Sequence, residues 1–120
     1  MGKSILKDKS YPFAIKIVKL SQFLQAEKKE YVLSKQILRS GTSIGALIRE
    51  AEFGQSKLDF IHKMSIGLKE ANETEYWLCI LKDTGFIELD LFESLQNDVK
   101  ELIAMLVSTV KTTKNKISEK

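Results

Sequence analysis

The sequence predicts an all-α protein: a single domain of 120 residues, built as a four-helix bundle. Two observations carry this prediction. The chain has one Pro and six Gly, too few and too scattered for the turns of a β-sandwich or barrel. Apolar residues recur at intervals of three and four over long stretches, which is the period of one helix face. The composition, 43% hydrophobic and 29% charged, fits a globular domain with one core.

The first predicted helix covers residues 11–26. Ser10 is placed to cap it, and Pro12 is tolerated in a first turn, where its missing N–H would have no helical partner. The polar cluster at residues 25–30 ends the helix. Its apolar stripe consists of Phe13, Ile17, Leu20 and Leu24.

The second predicted helix covers residues 31–53, with Gly54 as its C-terminal cap. Small residues stand where a plain core helix would carry Leu, so a neighbouring helix can approach closely. Gly41 and Gly45 each cost about 1 kcal/mol relative to Ala in a helix interior, and packing must offset that cost. The inward face consists of Leu33, Ile37, Gly41, Ile44, Ile48 and Ala51.

The third predicted helix covers residues 57–83. Ser56 and Asp59 form a capping box with Asp in the usual Glu position, and Gly85 lies past the end. Apolar residues cover more than one side of this helix. One interpretation is a wide core face packed on two neighbours. We favour a second, in which the side carrying Ile66, Trp77 and Ile80 meets another subunit, because large exposed apolar patches are rare on monomers.

The fourth predicted helix covers residues 91–116 and begins after a start signal at Asp90. Its stripe consists of Leu95, Val99, Leu102, Leu106 and Val110. Four helices with short connections favour an up-down-up-down antiparallel bundle.

A row of polar and small residues adjoins the inward face of the second helix. Two glutamates of the third helix, Glu70 and Glu73, are suitable partners for Arg39 or Arg49, because a buried charge must be paired. The alternative is a solvated charged face, and spacing alone does not decide between them. The row consists of Gln36, Arg39, Ser43, Ala46 and Glu50.

No residue pattern predicts catalysis, a cofactor, a metal or a small-molecule substrate. The single histidine, His62, has no nucleophile marked beside it, and Asp59-x-x-His62 is only half of a di-metal carboxylate set. Residues 41–45 lack the Lys-Ser/Thr of a phosphate-binding loop. The lone Cys79 is expected to be a buried thiol in a reducing compartment. With no export signal and no apolar run of membrane-spanning length, we expect a cytoplasmic protein that does not enter membranes.

The chain carries a net charge of +3, but its distribution is uneven. Residues 1–19 have a net charge of +4 and residues 111–120 of +3, so residues 20–110 total −4. An antiparallel bundle brings both termini to one pole, where the lysines would attract phosphate backbones. The alternative is that terminal lysines only keep the ends soluble. The proposed contact residues are Lys3, Lys7, Lys9, Lys16, Lys19, Lys111, Lys114 and Lys116.

Four segments of the chain resemble a known family: residues 36–46, 50–52, 59–62 and 69–78. They are similar to the four-helix-bundle proteins encoded within intervening sequences of bacterial large-subunit ribosomal RNA genes, also labelled S23-like. The similarity covers about residues 14–106. Leu47 departs from the family pattern, which typically has Asn there, and this removes one polar group from the row.

The resemblance implies a left-handed antiparallel bundle that assembles into a ring, as a homopentamer. It also implies kinship with the accessory variability protein of diversity-generating retroelements, a basic pentamer that engages nucleic acid and a reverse transcriptase. No established activity comes with the resemblance. We therefore predict a non-catalytic oligomeric bundle that binds RNA, DNA or a nucleoprotein partner through its basic pole. The alternative is a protein-interaction scaffold with no nucleic-acid role.

Overall fold

The computed structural model describes residues 5–118, which form four α-helices with no β-strand among them. The prediction of an all-α, four-helix protein is confirmed. The described part is a rod of 53 × 22 × 21 Å. The helices are α1 (Ile5–Glu27), α2 (Leu33–Glu52), α3 (Lys57–Asp83) and α4 (Leu89–Ser118).

Helix α1 begins at Ile5, six residues before the predicted start. Ser10 is not a cap; it is buried inside the helix, where its hydroxyl donates to the carbonyl of Lys7 at 3.4 Å. Leu6 and Ser10 continue the buried stripe of Phe13 toward the N-terminus. Burial of this extra turn and a half outweighs the helix-breaking tendency of Pro12, which lies inside the helix.

Helix α2 begins at Leu33 because Glu30 caps its first turn. The Glu30 carboxylate accepts hydrogen bonds from the backbone N–H groups of Val32, Leu33 and Ser34, at 3.2, 2.9 and 2.7 Å. These groups lack partners within the helix, and a negative charge there also favours the helix dipole. Glu30, predicted only to end the first helix, therefore starts the second.

The start of α3 follows the sequence prediction. Ser56 Oγ accepts a hydrogen bond from the backbone N–H of Asp59 at 3.0 Å. In a standard capping box the Asp59 carboxylate would accept a hydrogen bond from the N–H of Ser56. Here it accepts one from the N–H of the preceding residue, Gln55, at 3.3 Å.

The end of α3 also matches its prediction. Gly85 has a φ of +83°, the left-handed conformation that favours glycine. The N–H groups of Phe86 and Gly85 donate to the carbonyls of Leu81 and Lys82, at 2.9 and 3.1 Å. This is the Schellman pattern of a helix C-terminus. Asp90 was predicted to precede the fourth helix. In the structure α4 begins at Leu89, and Asp90 lies in its first turn.

The helices pack in chain order, α1 on α2, α2 on α3 and α3 on α4, while α1 and α4 touch most loosely. Gly41 lies in close contact with α1: a Cβ atom on it would lie 2.8 Å from Ile17 Cγ2. The close approach predicted from the small residues is present here. The fully buried large side chains are Phe13, Ile17, Leu24, Ile37, Ile44, Ile48, Leu78, Leu81, Leu95, Val99, Leu102 and Leu106.

Leu47 has a packing role. A Cβ atom on Gly67 of α3 would lie 3.8 Å from Leu47 Cβ and 3.8 Å from Leu106 Cδ2, so Gly67 is enclosed by α2 and α4. The apolar side chain at 47 therefore borders the α2–α3 contact. Between residues 5 and 118, no helix combines the length and the hydropathy needed to cross a membrane.

Candidate nucleic-acid interface

The predicted contact lysines fall on two helices. Lys7 and Lys9 lie in the first turns of α1, and Lys16 and Lys19 lie about two to three turns further along it. Lys111, Lys114 and Lys116 lie in the last turns of α4, while Lys3 is outside the described residues. We use the term basic pole for Lys7, Lys9, Lys111, Lys114 and Lys116.

Two of the α1 lysines pair with carboxylates of α4. Lys9 Nζ lies 3.2 Å from Glu101 Oε2, and Lys16 Nζ lies 2.8 Å from Asp98 Oδ2. Exposed pairs of this kind contribute about 0–1 kcal/mol to stability. They nonetheless offset the positive charge locally, so a phosphate would compete with Glu101 and Asp98 for these two cations.

The three lysines at the C-terminal end of α4, which we call the α4 lysines, have no such neighbours. Lys111, Lys114 and Lys116 are exposed, and no carboxylate of residues 5–118 pairs with any of them. They lie near the C-terminal end of α4, where the helix dipole favours positive charge. These three side chains are therefore the most available cations of the basic pole.

Arg39 of the polar row contacts both glutamates of α3. Its guanidinium lies 2.9 Å from Glu73 Oε2 and 3.8 Å from Glu70 Oε1. The Arg39 side chain is 58% exposed, so this cluster lies at the rim of the α2–α3 contact rather than within it. Glu70 Oε1 itself is buried and accepts no hydrogen bond from residues 5–118.

Arg49, which adjoins the row, and Ser43, which belongs to it, have separate partners. Arg49 lies over the ring of Tyr11, 5.6 Å from its centroid, and does not approach Glu70 or Glu73. Ser43 donates to the carbonyl of Arg39 within α2. These side chains therefore do not form one continuous network.

Glu50 pairs with Lys63 of α3, with 2.9 Å between carboxylate and ammonium. The hydrogen bond and charge of Glu50 raise the pKa of Lys63 above its usual value. A lysine whose pKa is raised by folding stabilises the folded state at pH values below the pKa of that lysine in the unfolded chain, which is about 10.4. That contribution is lost only as the pH rises through the folded value, so it is constant near neutrality.

The buried polar contact between α2 and α3 involves residues that the spacing did not single out. The Ser40 and Thr74 hydroxyls are both fully buried and are hydrogen-bonded at 2.9 Å. Ser40 lies beside Arg39 in sequence, and Thr74 is one turn beyond Glu70. The signal available in the sequence was that Ser40 and Thr74 each lie three residues from an apolar residue of their own helix's stripe, Ile37 and Ala71.

The side of α3 predicted to meet another subunit is half-buried within the chain. Ile66, Trp77 and Ile80 are all partly covered, and the Trp77 indole N–H donates to Glu73 Oε2 at 3.1 Å. More exposed apolar side chains lie on α1, where Tyr11, Ile15 and Val18 form an outward stripe.

A groove of about 370 Å³ lies between α1 and α4, the most loosely packed pair. It is lined by Lys16, Lys19, Leu20, Phe23, Leu91, Ser94 and Leu95. His62 lies on the exposed surface of α3. Across residues 5–118, no three His, Cys, Asp or Glu side chains are grouped as metal ligands.

The fold and these surfaces define a small all-α protein whose prominent surface groups are charged side chains and exposed aromatic rings. The chain belongs to the 23S rRNA-intervening sequence protein family, which it matches over residues 3–108. The resemblance drawn from residues 36–46 and 69–78 is thereby confirmed.

A similar solved structure comes from Bacteroides thetaiotaomicron VPI-5482 and is described as a protein with unknown function from the S23 ribosomal protein family. It is 58% identical, with a TM-score of 0.88, and the match covers 89% of this chain and 99% of that chain. The comparison with curated proteins found no match. Neither the family description nor the neighbour's description names an enzymatic activity.

Proposed function

We propose that this protein is a non-catalytic, oligomeric bundle that acts in the cytoplasm and binds the backbone of RNA or DNA through its basic pole. The observation that carries the proposal is the group of three exposed lysines at the end of α4, which no carboxylate of residues 5–118 neutralises. Backbone binding depends on such cations, because each contact releases counterions from the nucleic acid.

The basic pole requires both termini at one end, and the helix contacts support an up-down-up-down arrangement. Ser10 lies against Gly45 and Ile17 against Gly41, so the partner numbers in α2 fall as those in α1 rise.

The same reversal recurs at the other helix pairs. Glu50 meets Lys63 and Arg39 meets Glu73 between α2 and α3. From α3 to α4, Glu75 contacts Gln96, while Gly67 lies near Leu106. Antiparallel neighbours in this order bring the start of α1 and the end of α4 together.

Self-association into a ring, as a homopentamer, is the second part of the proposal. A ring would place several basic poles on one face and multiply their electrostatic field. The exposed and half-buried apolar surfaces of α1 and α3 support association. We propose the surface around Ile66, Trp77 and Ile80 as the contact.

Fluorescence anisotropy with labelled RNA and DNA, at low and raised salt, tests the binding. We expect salt-sensitive binding that is strongly weakened in the triple variant Lys111→Glu, Lys114→Glu, Lys116→Glu. A matched control reverses three exposed lysines elsewhere, Lys29, Lys35 and Lys69, and should retain more of the affinity. Absence of binding by the unaltered protein at low salt would refute the proposal.

The second candidate is a protein-interaction scaffold. The apolar surfaces on α1 and α3 favour it, because they can support assembly without any role for the lysines. A defined oligomer that shows no affinity for RNA or DNA would be the result expected of this alternative.

A further inference from the structure

Three exposed side chains form a row across α1 and the C-terminal end of α2. Arg49 and Phe53 are four residues apart on α2 and its C-terminal cap, so they occupy the same helix face. Tyr11 of α1 lies against Arg49, with the guanidinium carbon 5.6 Å from the ring centroid. We call Tyr11, Arg49 and Phe53 the aromatic row.

Phe53 is the most exposed large apolar side chain of the described residues, at 83%. It adds almost nothing to the core, so packing gives no reason for a phenylalanine there. Tyr11 is also exposed, at 58%. Phe13, the other aromatic residue near the start of the chain, is buried, and Phe60 at the start of α3 is partly buried against the core. Among the described residues, this leaves Tyr11 and Phe53 as the exposed rings at this end.

The backbone holds Phe53 in a defined position. Its N–H donates to the carbonyl of Glu50 at 3.2 Å, and the next residue, Gly54, donates to Ala51 at 3.0 Å. A Cβ atom on Gly54 would lie 2.9 Å from Asp59 Oδ2 of the following helix. The turn is therefore compact, and the ring projects from a fixed support.

The aromatic row and the α4 lysines lie toward the same end of the bundle. Gly67 is near both Leu47 of α2 and Leu106 of α4. From these two points, α2 continues six residues to Phe53 and α4 continues five to Lys111, a rise of about 9 and 8 Å. The antiparallel arrangement proposed above sends both helices in the same direction.

We propose that the aromatic row and the α4 lysines together form a binding site for single-stranded nucleic acid. Unpaired bases stack on Phe53 and on the Tyr11–Arg49 pair, and phosphates farther along the same strand contact Lys111 and Lys114. Stacking accepts any base, since every base has a flat π face, and an arginine plane adds to it. This inference rests on the proposed function and specifies its ligand.

Single strands fit this row better than duplexes or lipid surfaces do. Duplex bases are covered by their neighbours, so an exposed ring cannot reach their faces. An anionic membrane would bring Glu52, next to Phe53, and Glu50 against negative headgroups. A strand can place its bases at the row and its phosphates on the lysines, away from these carboxylates.

Anisotropy titrations should compare a labelled single-stranded RNA of about 12 nucleotides with a blunt duplex of the same sequence. We expect Phe53→Ala to weaken single-strand binding about tenfold and to leave duplex binding unchanged. Phe53→Trp should restore the affinity, and its fluorescence should be quenched when the strand is added. The matched control is Tyr31→Ala, which removes a ring that is 51% exposed in the α1–α2 connection.

The outcomes separate this inference from the proposed function. If Phe53→Ala binds single strands like the unaltered protein while the triple lysine reversal abolishes binding, the stacking site is overturned and backbone binding stands. If no nucleic acid binds at low salt, both fail. If phosphatidylglycerol vesicles bind in a manner that depends on Phe53 and RNA does not bind, the ligand of the site is a lipid surface and the single-strand proposal is overturned.

Discussion

At the residue scale, Gly41 and Gly45 lie in the same helix but differ in the space available around them. A Cβ atom on Gly41 would lie 2.8 and 2.9 Å from two carbons of Ile17, which is fully buried and β-branched. At Gly45 the nearest atom is Ser10 Oγ, 3.3 Å away. A methyl group at Gly45 requires Ser10 Oγ to move by only a few tenths of an ångström, which a small rotation of that side chain allows, whereas the branched Ile17 side chain cannot give way at Gly41.

We therefore predict opposite effects of the two alanine substitutions. Gly41→Ala should lower the free energy of unfolding by up to about 2 kcal/mol, because overpacking costs about 1–3 kcal/mol and the gain in helix propensity offsets only about 1 kcal/mol of it. Gly45→Ala should raise it by up to about 1 kcal/mol. Urea denaturation measures both, and equal stabilities of the two variants would contradict the packing account.

Glu30 gives a second prediction at this scale. Glu30→Gln replaces a charged acceptor of three backbone hydrogen bonds with a neutral one and should cost about 1 kcal/mol of unfolding free energy. The control is Glu27→Gln, an exposed position at the end of α1. Thermal unfolding should show a lower Tm for the Glu30 variant alone. A Tm loss of the same size for Glu27→Gln would contradict the role of Glu30 as the cap of α2.

The residue identities show why some contacts could be predicted and others could not. Close packing at Gly41 could be predicted from the sequence, because a glycine in a helix interior costs about 1 kcal/mol relative to alanine and packing must offset that cost. The Ser40–Thr74 bond depends on how α2 and α3 are rotated about their axes, which a single helix pattern does not determine. Arg49 was equally ambiguous, because the sequence alone does not determine which neighbouring helix its side chain faces.

At the element scale, α1 shows a local signal overruled by tertiary packing. Ser10 and Pro12 indicate a helix start, yet the helix extends back to Ile5 because Leu6 and Ser10 are buried on its inner side. The boundaries of α3 were predictable because its caps are local, formed by Ser56 and Gly85 with near neighbours. Burial against a distant helix cannot be read from local caps, so the start of α1 was missed.

Pro12 provides a prediction for this helix. Pro12→Ala restores the N–H that can donate to the carbonyl of Asp8 and should raise the free energy of unfolding by about 2 kcal/mol. The gain is reduced by the greater freedom of the unfolded chain, about 0.4–1 kcal/mol. The free energy of unfolding of Pro12→Gly should lie between those of the unaltered protein and of Pro12→Ala. A lower Tm for Pro12→Ala would show that the proline fits its site without strain.

At the scale of the whole molecule, the chain is expected to self-associate. Light scattering should give about five times the chain mass of 13.7 kDa. Ile80→Glu places a charge in the proposed contact and should reduce the mass, whereas Val107→Glu, at an exposed position of α4, should not. Circular dichroism checks that both variants stay helical. A monomer at every concentration would contradict the ring.

The dependence of nucleic-acid affinity on salt tests the central claim most directly. Each backbone contact contributes about 0.9 to the slope of log K against log salt concentration on duplex DNA. Reversal of Lys111, Lys114 and Lys116 should therefore reduce that slope by about 2–3, whereas reversal of Lys29, Lys35 and Lys69 should leave it nearly unchanged. An unaltered slope in the α4 variant, or no binding at low salt, would contradict the basic pole as the contact surface.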